Sequence, residues 1–213
     1  CSSLYFLPSI SIGVSRMKIK AITRQFKQMR CPLIAIGLFE GTRNLEGFAK
    51  EVDVHLDGMV TSMLLNKEFN GGLNKTSLIH SKGTVVRILL IGLGKREKFV
   101  PDVLRSVSGK VANLVKDLNL KSYAFIYDQG DSLDDIQAIV EGAELGLYRF
   151  DYYKSEKNDK INVNDMSIVI NRNYLAKARR VINVSQAIVR GVNISRDISN
   201  LPSSDCTPSI LAL

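Results

Sequence analysis

Gly92 and Gly94, in "IGLGKRE", come closest to a chemical motif, because a glycine-rich turn after a strand can aim backbone N–H groups at a phosphate. A dinucleotide fingerprint needs a third glycine where Glu97 stands, and a P-loop needs a Gly-Lys-Ser/Thr ending that is missing here. A tight turn explains both glycines. Asn70, Gly71 and Gly72 in "NGGLNK" are likewise turn chemistry, since glycine adopts positive φ at little cost.

The other reactive types are no better arranged. His55 and His80 lack any metal-ligand spacing. Asp134 and Asp135 are neighbours at a helix start, so they point apart and complement the helix dipole instead of sharing a proton. No serine lies in a G-x-S-x-G elbow, and Cys206 has no histidine near it in sequence. Cys1, Cys31 and Cys206 are too scattered for a disulfide framework or a zinc knuckle. No catalytic, cofactor-binding or metal-ligating residue is assigned.

With 45% apolar and 23% charged residues, the chain can build a globular core. No run of about 18 apolar residues spans a membrane, and a reducing, cytoplasmic setting is expected. The net charge of +8 is spread along the chain as +1, +4 and +3 over residues 1–16, 17–160 and 161–213. That spread favours a solvated surface over a nucleic-acid patch.

Strands are expected at Lys18–Thr23, Pro32–Phe39, Ser77–Ser81, Thr84–Ile91 and Ser122–Asp128, from β-branched content and apolar alternation. The run "TVVRILLIG" reads as a strand buried on both faces. A helical stretch is expected around Leu56–Phe69. Another starts at Pro101, with Val103, Val107, Val111, Leu114 and Leu118 on one side. Ser132 is expected to cap a third, whose stripe is Leu133, Ile136, Val140, Ala143, Leu147 and Phe150. Strands alternating with helices predict an α/β sheet flanked by helices.

After "KSEKNDKINVND" (Lys154 to Asp165), polar and boundary-like, come a short strand "MSIVI" and a long helix over about Tyr174–Ile198. Thr207 and Pro208 suit the start of one more helix. Residues 1–16 read as a non-native leader ahead of Met17, residues 17–157 as the first domain, and 158–213 as a connecting strand and helix with the truncated start of a second α/β domain.

Three segments carry a resemblance. "LLIGLGKREKF" (Leu89–Phe99), "EGAELGLYRFDYYKS" (Glu141–Ser155) and "ISRDISNLPSSDCTP" (Ile194–Pro208) resemble, in this order, the amino-terminal half of the leucyl (cytosol) aminopeptidases, the M17 metallopeptidases. The resemblance covers nearly everything from Met17 to the end. It implies a macro-domain-like mixed sheet, followed by a connecting helix into a catalytic domain.

It also implies that complete members remove amino-terminal residues from peptides with two divalent metal ions (zinc, manganese or magnesium) and assemble as homohexamers. Their ligands cluster around an Asn-Thr-Asp-Ala-Glu-Gly-Arg motif that this sequence does not contain, so no ligand is carried over and this chain is expected to bind no metal and to be inactive alone. Asn200 and Pro202 match the family loop Asn-x-Pro-x-Asn, whereas Ser204 stands in place of its second Asn.

The same resemblance makes the aromatic, charged run Tyr148–Lys154 a half-buried seam between pieces of protein, with Arg149 holding its guanidinium over a ring. Apolar surface is expected to remain exposed on the helix over 174–198. Two alternatives stay in view: ADP-ribose or nucleotide binding of the macro type at "NGG" and "GLG", and DNA binding, for which Lys177, Arg179 and Arg180 form the one local basic cluster.

Overall fold

A computed structural model describes residues 17–23, 25–82, 85–127, 132–154 and 162–207. The expected leader and the helix start at Pro208 lie outside the described residues, as does most of the polar stretch before residue 162.

Among the described residues, six strands form one mixed sheet: β1 (Lys18–Ile22), β2 (Cys31–Phe39), β3 (Thr76–His80), β4 (Val85–Gly94), β5 (Ser122–Ile126) and β6 (Asp165–Val169). Their order is β1-β6-β5-β2-β4-β3. All neighbours are parallel except β3, which runs antiparallel to β4 at one edge. Among the described residues the α-helices are α1 (Gly47–His55), α2 (Met59–Leu65), α3 (Pro101–Asp117), α4 (Leu133–Gly146) and α5 (Leu175–Asn200).

The near-continuous apolar sequence of the central strands follows from their position between two cores. On one face, Leu89 and Ile91 of β4 join Leu33, Phe125 and Met166 beneath α3, α4 and the first half of α5. On the other, Ile88 and Leu90 join Ile34 and Ile36 beneath Phe48 and Val52 of α1 and Val60 of α2. β6 follows the polar stretch in sequence yet sits between β1 and β5.

One expected helix differs. The stretch over 56–69 is two helices, because Asp57 (φ 52°) and Gly58 (φ 80°) take left-handed backbone and end α1 before α2 begins. Asp53 of α1 then accepts the Thr61 amide at 2.9 Å, tying the pair together. α1 was not among the expected helices; it buries Phe48, Ala49 and Val52 against the sheet. Ser132 occupies the expected position before α4 but makes no side-chain cap bond. α4 ends at Gly146, so Phe150 lies beyond it.

α3 and α4 approach closely because glycines line their crossing. A Cβ at Gly142 would lie 2.1 Å from the Arg105 carbonyl oxygen, and one at Gly146 would lie 2.9 Å from Gly109 Cα. Beside this contact, Arg105 donates to Glu141 Oε2 from Nε at 2.9 Å and from Nη2 at 2.7 Å. Gln137 donates to the other carboxylate oxygen at 2.7 Å. Glu141 is buried, and this triple engagement compensates the desolvation of its charge.

Candidate functional site: the junction of α4 and α5

The two glycine segments that suggested a phosphate cradle are packed against each other, and Gly92 and Gly94 form the end of β4 where a tight turn was expected. Gly94 donates its amide to Gly71 O at 3.0 Å, and Gly92 donates to Lys75 O at 2.8 Å. The Gly72 amide goes to Asn70 Oδ1 at 3.1 Å. A Cβ at Gly92 would fall 1.9 Å from Gly72 O, and one at Gly71 would fall 2.3 Å from Phe39 O. These glycines serve backbone-on-backbone contact, and three of their amides are already engaged by protein acceptors. Arg96 is committed as well, its guanidinium carbon 4.3 Å from the centroid of the Phe39 ring. The nucleotide alternative loses its donors here.

The remaining candidates disperse. His55 packs its ring 4.8 Å from Phe26, and His80 is exposed on β3. Cys31 is a free thiol whose pKa burial pushes up to about 11, so it is a poor nucleophile. Asp135 is not a surface charge. It is buried and accepts a hydrogen bond from the Tyr127 hydroxyl, because the first turn of α4 sits over the end of β5. Among the described residues, no group of three or more His, Cys, Asp and Glu could hold a metal ion.

What the fold does bring together is the end of α4 and the second half of α5. Tyr148 donates its hydroxyl hydrogen to Asp197 Oδ1 at 2.8 Å and accepts from Asn200 Nδ2 at 3.2 Å. Burial and the Asp197 hydrogen bond both raise the Tyr148 pKa, so the phenol keeps its proton. Arg196 lies over the Tyr148 ring, 5.2 Å from the centroid, and donates to the Leu145 carbonyl at 3.3 Å. That carbonyl lies in the last turn of α4, where it also accepts the Leu147 and Tyr148 amides and where a cation is favoured.

Deeper in the junction, Gln186 of α5 donates to Glu144 Oε1 at 2.7 Å and to Met17 O at 3.0 Å, joining three elements. Further out, Tyr153 donates to Asp205 and so straps the loop after α5 to the segment after α4. Asp151 pairs with Arg149 Nε at 3.1 Å and Lys154 Nζ at 2.7 Å. The Lys154 hydrogen bond first, and then the Arg149 charge, hold its carboxyl below the usual carboxylate range.

The seam expected at Tyr148–Lys154 is thus present, with one correction. Arg149 is not the residue over the ring. A carboxylate two positions along is the stronger partner, and Arg196 from α5 takes the ring instead. Arg196, Asp197 and Asn200 had no assigned role from sequence, although Asp197 and Asn200 share a helix face by their spacing. Gln186 and Glu144 gave no local signal. The arrangement holds no nucleophile beside a base. Its chemistry is mechanical, fixing where the chain leaves α5.

A mixed sheet between helices, locked through its fourth helix to a long fifth, defines an α/β fold. A family model described as "Cytosol aminopeptidase family, N-terminal domain" matches residues 35–157, more than half of the chain, and the chain belongs to that family. Curated relatives include a "Probable cytosol aminopeptidase" of Alkaliphilus oremlandii, 30% identical over 204 residues, covering 92% of this chain and 41% of the relative. Another, of Cyanothece sp., is 31% identical over 200 residues, covering 92% and 40%.

Among solved structures, a mutant of tomato leucine aminopeptidase superposes with a TM-score of 0.75 at 21% identity, covering 92% of this chain and 41% of that one. The bottromycin maturation enzyme BotP in complex with Mn superposes at 0.63 and 19% identity, covering 85% and 34%. These likenesses establish the fold. The chain spans about two-fifths of the length of the curated relatives it matches. Among the described residues, no helix is long and apolar enough to cross a membrane.

Proposed function

We propose that this chain is the amino-terminal portion of a leucyl-aminopeptidase-type metallopeptidase which, when complete, removes amino-terminal residues from peptides in the cytoplasm as a homohexamer. The observation that carries the reading is the family match over residues 35–157, joined by relatives named as cytosol aminopeptidases that align along 92% of this chain.

Two divalent ions, zinc, manganese or magnesium, belong to the complete protein in this reading. A neighbour of the same fold was solved with Mn. Such ions polarise a scissile carbonyl and supply a hydroxide nucleophile. The described residues of this chain do not fit such ions, since they contain no cluster of carboxylate, imidazole or thiolate donors. No step of the reaction is therefore assigned to them. The role proposed for this portion is positional: α4 and α5 hold the chain after Leu201 in a fixed direction.

Hydrolysis of leucine p-nitroanilide with added Mn²⁺ or Zn²⁺ tests the reading, comparing this chain with the full-length product of its parent gene. Turnover by the full-length product alone is expected. Turnover by neither protein overturns the peptidase assignment, and turnover by this chain overturns its inactivity.

A further inference from the structure

Gly71, Gly72, Gly92 and Gly94 carry four backbone amides, and the last three have protein acceptors. The Gly71 amide donates to no acceptor among the described residues. It follows Asn70, whose exposed side chain folds back so that Oδ1 accepts the Gly72 amide at 3.1 Å. The ring closed by that hydrogen bond contains both the Asn70 carboxamide carbon and the Gly71 nitrogen.

Those two atoms join when an asparagine cyclises onto the residue after it. The Gly71 amide, deprotonated by hydroxide, attacks Cγ. The N–Cγ bond forms, the Cγ–Nδ2 bond breaks, and ammonia leaves with the proton that Gly71 gave up to solvent. Water then opens the resulting succinimide. Cleavage at Cγ gives aspartate, and cleavage at the main-chain carbonyl gives isoaspartate, in which the backbone runs through the side-chain carbon. The Gly72 amide is aimed at the oxygen on which negative charge develops during the attack. Glycine has no side chain to obstruct it.

Elsewhere the attacking amide is occupied. Gly58, after Asp57, donates to Asp53 O at 2.9 Å, and Leu120, after Asn119, donates to Val115 O at 3.0 Å. Lys75, after Asn74, donates to Gly72 O at 2.9 Å, and Asn74 Nδ2 is itself held by Ser106 Oγ at 2.9 Å. A nitrogen held in this way must lose its bond first, so reaction there waits on local opening.

We propose that Asn70 is a self-modification site, which cyclises onto Gly71 in the folded chain and converts to aspartate and isoaspartate with water as the co-reactant. The site is separate from the peptidase reading and does not rest on it. The isoaspartyl product adds a main-chain carbon between buried Phe69 and Gly71. A Cβ on Gly71 would already lie 2.3 Å from Phe39 O, and Gly71 O holds the Gly94 amide at 3.0 Å. Ageing at Asn70 therefore releases the lock between this loop and the end of β4.

The test is to incubate the purified chain at mildly alkaline pH, folded and in urea. Electron-transfer mass spectrometry of the tryptic peptide over 68–75, which holds Asn70 and Asn74 together, places the mass gain and separates isoaspartate from aspartate. Gly71 is packed against Phe39 O, so the comparison reads directly whether hydroxide reaches its amide. Asn70 is expected to convert in the folded chain within about threefold of its rate in urea, whereas folding slows Asn74 and Asp57 by about tenfold or more. Asn70→Ser keeps a side-chain oxygen for the Gly72 amide but has no carbonyl to attack, and should abolish the gain. Asn70→Asp adds the charge on a normal backbone and should unfold in urea with the parent, while the isoaspartyl form separated by ion exchange unfolds earlier. Protection of Asn70 equal to that of Asn74 overturns the proposal, as does an undiminished gain in Asn70→Ser. An isoaspartyl form as stable as the parent overturns the release of the lock.

Discussion

Tyr148 and Asp197, 49 residues apart, meet at 2.8 Å where α4 gives way to its exit loop and α5 passes beneath it. The phenol is the hinge pin of the junction: Asn200 donates to its oxygen and Arg196 covers its ring.

Tyr148→Phe keeps the ring under Arg196 and removes the donor to Asp197. A hydrogen bond to a charged acceptor contributes about 1.5–3 kcal/mol when shielded, and this one is only partly buried. A loss nearer 1 kcal/mol is expected in urea unfolding. Amide exchange should quicken in the last turns of α5 and leave β4 unchanged. Uniform loss of protection would argue against a local latch.

Gly142→Ala should cost more. Its Cβ would enter the van der Waals shell of the Arg105 carbonyl, which is backbone in a helix and cannot swing aside. Overpacking of this kind typically destabilises by about 1–3 kcal/mol, and here the upper end is expected by denaturant titration. Gly191→Ala, with open space around it, is the control and should be near neutral or slightly stabilising.

Glu141→Gln retains shape but removes the charge that Arg105 engages through Nε and Nη2. Arg105 keeps Asp102 as a second partner, so its own charge is not stranded. The expected loss is about 1–3 kcal/mol at neutral pH. Equal stability of variant and parent at neutral pH would show that the pair merely balances its desolvation.

The Tyr153–Asp205 strap carries an alkaline signature. Burial first, and then the Asp205 carboxylate, raise the Tyr153 pKa to about 12 from an ordinary 10.0. A group raised on folding contributes stability below its unfolded pKa and loses it as pH climbs through the folded value. The strap is therefore intact below about pH 10 and releases toward pH 12. Ultraviolet titration of the tyrosines should show late ionisation that Asp205→Asn advances for one residue. The chain has no tryptophan, so the tyrosine signal is unobstructed.

Amide exchange across the same range should free residues 201–207 before the sheet opens. Simultaneous release of both would mean that the strap does not act independently.

The alternation of apolar strands and amphipathic helices was legible in the chain itself, because each β or α period reports which side of its own segment is dry. β2, β4, β5 and α3 fall where the pattern places them, within a few residues at each end. The aromatic run after α4 and the segment around Asp197 also carried the family in their order alone. Tertiary structure decided the partners.

Nothing in "LDDIQ" distinguishes Asp134 from Asp135, yet only Asp135 lies beneath Tyr127. The two glycine segments read as loops until the antiparallel pairing of β3 with β4 sets them against one another, and Glu144 finds Gln186 only after α5 returns across α4. Periodicity is a property of neighbours in sequence. A buried charge, a close backbone approach or a hydrogen bond spanning 42 residues depends on which elements pack together, and that is settled by the free energy of the whole core.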